Sequence, residues 1–71
     1  MLAREIKEKL SRGEASIGTW MSMAHPSIAE ILSSAGYDFV VVETEHTAID
    51  ISEVLQLLMA IEGRGSVPLV R

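Results

Sequence analysis

The chain has 71 residues, a net charge of −4 and a pI near 5.0; it is 48% hydrophobic and 4% aromatic, with no cysteine. These figures exclude a nucleic-acid module, which needs a basic stripe or an aromatic platform, and they exclude a disulfide or thiolate-zinc staple. A chain of this length buries only about 60% of its unfolded surface, so this much aliphatic side chain calls for further protein to cover it.

Leu2, Ile6 and Leu10 recur every four residues among Arg4, Glu5, Lys7, Glu8 and Lys9, which predicts an amphipathic helix over residues 2–12. Gly13 ends it, and we read it as a lid. No apolar run here is long enough for a signal peptide or a membrane span, so a soluble, cytoplasmic protein is expected. Residues 17–21 are the first predicted strand, with Gly18 allowing a close approach and Trp20 near the C-terminal end. Pro26 suits the first turn of a second helix, while Ser27 and Glu30 have the spacing of a capping box; the two signals belong to different frames, but both start a helix. Its expected core face is Ile28, Ile31, Leu32 and Ala35, with Gly36 as the left-handed cap. His25 reads as a loop residue at this helix start.

Residues 38–43 are the second predicted strand. Its apolar run, Phe39-Val40-Val41-Val42, stops abruptly at Glu43-Thr44-Glu45-His46. A short β-branched run of this kind reads as a parallel strand covered on both faces, and its charged end opens into a loop, where α/β proteins place their chemistry. Asp50 with Glu53 three residues on announces a third helix, expected to turn Ile51, Leu55, Leu58 and Met59 to the core before Gly63 stops it. Residues 67–71 begin a third strand. Met21, Met23 and Met59 read as core filler.

Strand, helix and turn therefore occur twice and begin a third time, the signature of an α/β fold with parallel strands in sequence order and helices on one face. A barrel sector and a doubly wound sheet both fit that pattern. Because the third unit stops at Arg71, residues 1–71 are expected to form one part of a larger domain. Trp20, Glu43 and Arg71 each lie at or beside the C-terminal end of a successive strand, so the fold would carry them to a common rim. There Arg71 could hold a carboxylate by two parallel hydrogen bonds, His46 could move a proton near neutral pH, Glu43 or Glu45 could orient the imidazole, and Trp20 could supply an apolar wall. Glu43 and Glu45 share one side of a continued strand and His46 faces the other, so their convergence requires a turn from Thr44. The residues alone leave plainer readings open: a solvated acidic strand end, a capping histidine and a packing tryptophan. Glu43, Glu45 and His46 also suit a divalent ion, although their spacing is no metal signature.

The order Ile17-Gly18-Thr19-Trp20, then Ala29-Glu30-Ile31-Leu32 and Ala35-Gly36-Tyr37-Asp38-Phe39-Val40, then Glu43-Thr44-Glu45-His46, then Pro68-Leu69-Val70-Arg71 resembles the N-terminal part of the HpcH/HpaI aldolase family. The resemblance covers residues 10–71. It implies that residues 1–71 are the N-terminal sector, about three strands and their helices, of a (β/α)8 TIM barrel. It further implies a class II lyase that reversibly cleaves a 4-hydroxy-2-oxo acid to pyruvate and an aldehyde. By the same resemblance, His46 is the catalytic histidine with Glu43 as its acidic partner. Arg71 holds the pyruvyl group, Trp20 lines the pocket and Glu45 is a support. A divalent metal (magnesium, manganese or cobalt) is implied with ligands on later strands, so that none is assigned in this chain. The implied partners are a small 2-oxo acid and an aldehyde, without nucleic acid or membrane, in a homo-oligomer that the family suggests is a hexamer.

Two departures accompany the resemblance. Glu43 stands where the family usually has Asp, and Thr44 stands where it usually has Gly, replacing a residue free to adopt positive φ with one that is not. The alternative is a non-catalytic α/β module that self-associates through an open sheet face or pairs with another subunit. In either case the 71 residues alone are expected to be inactive.

Overall fold

The computed structural model describes residues 2–71 as α1 (Ala3–Ser11), β1 (Gly18–Met21), α2 (Pro26–Ser34), β2 (Phe39–Val42), α3 (Ile51–Gly63) and β3 (Val67–Val70). β2 is central and pairs in parallel with both neighbours, giving the order β1-β2-β3, with Gly18, Phe39 and Val67 abreast at one end and Met21, Val42 and Val70 at the other. Side chains alternate along a strand, so Met21, Val40 and Val42 share one face. There they meet Ala29 of α2, Leu57 and Ile61 of α3, and Ile49, which together form the buried core. By the same alternation the opposite face carries Trp20, Phe39, Val41 and Leu69, and it leaves Trp20 and Leu69 exposed. The expected α/β architecture is therefore present: three parallel strands in sequence order with α2 and α3 packed on one face.

The two core-facing helices are rotated from their expected positions. α3 buries Leu57 and Ile61 with Val54 and Ala60 beside them, while Ile51 is 88% exposed and Leu55 and Met59 also face outward. The cause lies in composition: apolar residues lie almost all round this helix, so a second stripe at Val54, Leu57 and Ile61 competes with the one at residues 51, 55 and 59. Ile49, fixed in the core just before the helix, selects the former. α2 likewise turns Ala29 and Ser33 inward, flanked by Ile28 and Leu32, and leaves Ile31 and Ala35 exposed. Small residues on this face let α2 sit close, and the inward serine is hydrogen-bonded. Ser33 Oγ donates to the Ile61 carbonyl at 2.8 Å and accepts from the Ser66 N–H at 3.3 Å, while Ser66 Oγ donates to the Tyr37 carbonyl at 2.7 Å. Of the methionines read as filler, Met21 is buried, whereas Met23 and Met59 are exposed.

The helix ends follow local chemistry. At α2 the proline frame wins: Pro26 occupies the first turn and His25 is the cap, its Nδ1 accepting the Ser27 N–H at 3.2 Å. At α3 the predicted capping box forms, with Asp50 accepting the Glu53 N–H at 2.9 Å and the Glu53 carboxylate accepting the Asp50 N–H at 3.1 Å. α3 runs through Gly63, and Gly65 (φ 96°) takes the left-handed turn instead. α1 buries none of its residues, and its Lys9 ammonium lies 2.8 Å from the Asp38 carboxylate. Asp38 directly precedes β2, so this tie is at the N-terminal ends of the strands. The helix read as a lid is thus anchored at the end opposite the charged rim.

A Cβ built on Gly18 would fall inside the Phe39 ring, which lies across the glycine. Gly18→Ala is therefore expected to displace the ring and destabilise the fold by about 1–3 kcal/mol. Urea denaturation of the variant beside wild type reads this directly, and coincident curves would count against the contact.

Candidate active site

The core-forming run of β2 fixes where the charged segment begins. Residues 41 and 43 share the sheet face opposite the helices, as do 69 and 71 on the neighbouring strand, and the register aligns Trp20 with Val41 and Leu69. Trp20, Glu43 and Arg71 are thereby delivered to one face at the C-terminal ends of three adjacent strands. The Arg71 guanidinium carbon lies 5.6 Å from the centroid of the Trp20 ring, a cation–π contact that spans the middle strand.

Glu43 is the hub, only 8% exposed although charged. Its Oε1 accepts the backbone N–H groups of Glu45 at 2.7 Å and His46 at 3.2 Å, and its Oε2 is 3.5 Å from Arg71 Nη1. These bonds fold the chain back at residues 45–47, which supplies the turn that convergence required. As a result His46 Nδ1 comes within 3.7 Å of Glu43 Oε1 while the ring stays largely exposed. Glu45 is exposed and meets Arg71 Nη2 at 3.5 Å. All five residues singled out from the sequence (Trp20, Glu43, Glu45, His46 and Arg71) are thus brought together.

Two hydroxyls that sequence reasoning passed over complete the arrangement. The Thr44 N–H donates to the Arg71 carbonyl at 2.8 Å, and its Oγ1 donates to the same oxygen, extending the β2–β3 pairing past the strands. Thr44 does so at ordinary φ, since among the described residues no non-glycine has positive φ; replacing a glycine here imposes no left-handed strain. Thr47 Oγ1 donates to the Glu43 carbonyl at 2.6 Å and accepts the Ile49 N–H at 3.3 Å. The available signal was threonine in a turn directly after a strand, where its hydroxyl competes for backbone partners.

Burial alone would raise the carboxyl pKa of Glu43. The Glu45 and His46 N–H groups and the charges of Arg71 and His46 outweigh it, and the net value falls below the ordinary 4.5. Asp38 is lowered chiefly by its hydrogen bond from Lys9, and Asp50 chiefly by the Glu53 N–H. A carboxyl whose pKa is lower folded than unfolded contributes stability above the unfolded value and loses it as pH falls through the folded one. The melting temperature is therefore expected to hold from pH 7 to about pH 5 and to drop below about pH 4, with Glu43→Gln removing part of the drop. Circular dichroism melts across pH test this, and a flat profile down to pH 2 would sink it.

Ligand atoms of Glu43, Glu45 and His46 all lie within 4.8 Å of one another, close enough to hold a cation. Some of these atoms are already engaged. Glu43 Oε1 already accepts two backbone N–H groups, and the single Arg71 guanidinium, 3.5 Å from each carboxylate, offsets one of their two negative charges. As placed, the cluster is held by the chain's own N–H groups and guanidinium.

Comparison with known proteins gives consistent likenesses. The profile of the HpcH/HpaI aldolase/citrate lyase family matches residues 16–71. A 5-keto-4-deoxy-D-glucarate aldolase of Salmonella paratyphi A is 37% identical over 67 residues, covering 94% of this chain and 26% of that protein. A hydroxypyruvate/pyruvate aldolase of Roseobacter denitrificans is 37% identical over 65 residues, covering 92% and 25%. Among solved structures, the citrate synthase SbnG superposes with a TM-score of 0.84 at 36% identity, covering 93% of this chain and 27% of that one. An HpcH/HpaI aldolase from Desulfitobacterium hafniense gives 0.77 at 34%, covering 93% and 26%. The chain thus spans about a quarter of the length of the relatives it matches. Among the described residues, no helix is long and apolar enough to cross a membrane.

Proposed function

Because the chain belongs to the HpcH/HpaI aldolase/citrate lyase family, we propose that residues 1–71 are the N-terminal sector of a single (β/α)8 lyase domain that reversibly cleaves a 4-hydroxy-2-oxo acid to pyruvate and an aldehyde. The observation that carries this reading is the convergence of Trp20, Glu43, His46 and Arg71 at one rim. The self-associating module is not favoured, since it gives that convergence no task.

In the proposed reaction His46 takes the proton of the substrate 4-hydroxyl. The C3–C4 electron pair then passes to C3 and the 2-oxo group, the aldehyde leaves, and the enolate gains a proton at C3 to become pyruvate. Glu43 holds the imidazole by bonding the backbone on which it stands, and its carboxylate lies 3.7 Å from the imidazole Nδ1. Arg71 takes the substrate carboxylate and offsets charge developing on the enolate oxygen. Its contacts with Glu43 and Glu45 are both 3.5 Å long, whereas a well-made charged hydrogen bond is about 2.8 Å, so a substrate carboxylate can compete for the guanidinium. Trp20 walls the apolar side, and Glu45 supports Arg71. A magnesium, manganese or cobalt ion held by carboxylates outside residues 1–71 belongs to this proposal, supplying Lewis acidity at the 2-oxo group. A cytoplasmic homo-oligomer, a hexamer, belongs to it as well; the exposed apolar stripe of α3 supports association.

Pyruvate release coupled to lactate dehydrogenase tests the proposal. The longer enzyme should release pyruvate from a panel of 4-hydroxy-2-oxo acids with a divalent metal, and the 71-residue chain should release none. Absence of release by the longer enzyme across the panel would refute lyase function. The likeness to a citrate synthase favours one second reading, carbon–carbon bond formation yielding a tricarboxylate, which the same panel separates from cleavage.

A further inference from the structure

His46 stands on a loop between two fixed points, the buried Glu43 and the core residue Ile49, while Glu45 and His46 themselves are exposed. One hydroxyl joins the two ends. Thr47 Oγ1 donates to the Glu43 carbonyl and accepts from the Ile49 N–H, so that it bonds backbone groups on both sides of the loop. The Glu43 carboxylate closes the loop from inside through the Glu45 and His46 N–H groups, so the segment before His46 and the segment after it are each tied down. An exposed imidazole has few packing contacts to hold it, and its backbone anchors must therefore set its position.

We propose that Thr47 is a positioning residue for His46: its hydroxyl closes the 43–49 loop and holds the imidazole at the rim in a geometry productive for proton transfer. The proposal rests on the lyase reading above but adds a residue that reading does not use. Proton transfer depends steeply on placement, and a shift of about 1 Å can cost about 100-fold in rate. Partial loosening should therefore lower turnover and leave substrate binding at Arg71 and Trp20 nearly intact.

Thr47→Val keeps the shape and β-branching and removes the hydroxyl, Thr47→Ser restores the hydroxyl, and Thr47→Ala guards against an effect of valine's bulk. In the longer enzyme, Val and Ala are expected to lower kcat about tenfold with KM within about twofold of wild type, and Ser to recover most of the loss. In the 71-residue chain, amide exchange followed by 15N-edited NMR is expected to quicken at Glu45 and His46 in Val and Ala and to stay slow in Ser. Wild-type kcat in both hydroxyl-free variants would overturn the proposal, as would unchanged exchange at His46. A rise in KM with kcat preserved would overturn it too. If the wild-type enzyme cleaves none of the 4-hydroxy-2-oxo acids, the lyase reading fails, and the exchange data alone then decide whether Thr47 holds His46.

Discussion

Replacing His46 by alanine in the longer enzyme is expected to lower kcat for 4-hydroxy-2-oxo acid cleavage by about 10²–10⁴-fold, about 3–5 kcal/mol of barrier. A general base contributes on that scale when it is placed by its surroundings, as the Glu43 carboxylate places the His46 backbone. The fold should not suffer, because the ring is 70% exposed and lies outside the core. Arg71→Ala should cost a comparable amount, with part of the loss appearing in KM since the guanidinium is proposed to bind substrate as well as the enolate. Arg71→Lys should recover little: an ammonium cannot reproduce the planar fork that faces Glu43 and Glu45 and lies over Trp20. Steady-state pyruvate release measures both variants. Rates unchanged in His46→Ala and Arg71→Ala together would remove the assignment of this rim as the catalytic site.

How much of this site is legible in sequence depends on which interaction fixes each part. The strand end was legible because Phe39-Val40-Val41-Val42 has one physical reading, a buried parallel strand, and the period of two then places Glu43 on the same face as Trp20 and Arg71 once the strands lie in order. The capping box at Asp50 was legible because both of its partners lie within four residues. The turn that brings His46 back was foreseen as a requirement, but its cause was hidden. It comes from a side chain bonding backbone N–H groups two and three residues on, and no hydrophobic pattern records that. The helix faces failed for a different reason. α3 offers two competing apolar stripes, and the choice between them lies in tertiary contact with Ile49 and α2. Ser33 and Ser66 were invisible because a polar residue on an apolar face reads as solvent-facing until its long-range partners are known.

The rotated face of α3 carries the second large prediction, which concerns stability. Ile61 is fully buried among Met21, Val40, Val42 and Leu57, so Ile61→Ala should cost about 2–5 kcal/mol through lost burial and the cavity left behind. Met59 has the larger claim on hydrophobic periodicity alone, yet it is 66% exposed, and Met59→Ala should stay within about 0.5 kcal/mol. Native domains carry only about 0.05–0.15 kcal/mol of stability per residue, so in so short a chain the first substitution removes a large fraction and the second almost none. The Ile61 carbonyl also accepts the Ser33 hydroxyl, so collapse around the cavity would disturb the buried serine pair and push the cost toward the upper end. Urea midpoints of the two variants at equal m-value give the comparison directly. A larger loss for Met59→Ala than for Ile61→Ala would mean that α3 presents its other stripe to the sheet. The frame that fixes Ile49 at the end of the His46 loop would then have to be redrawn.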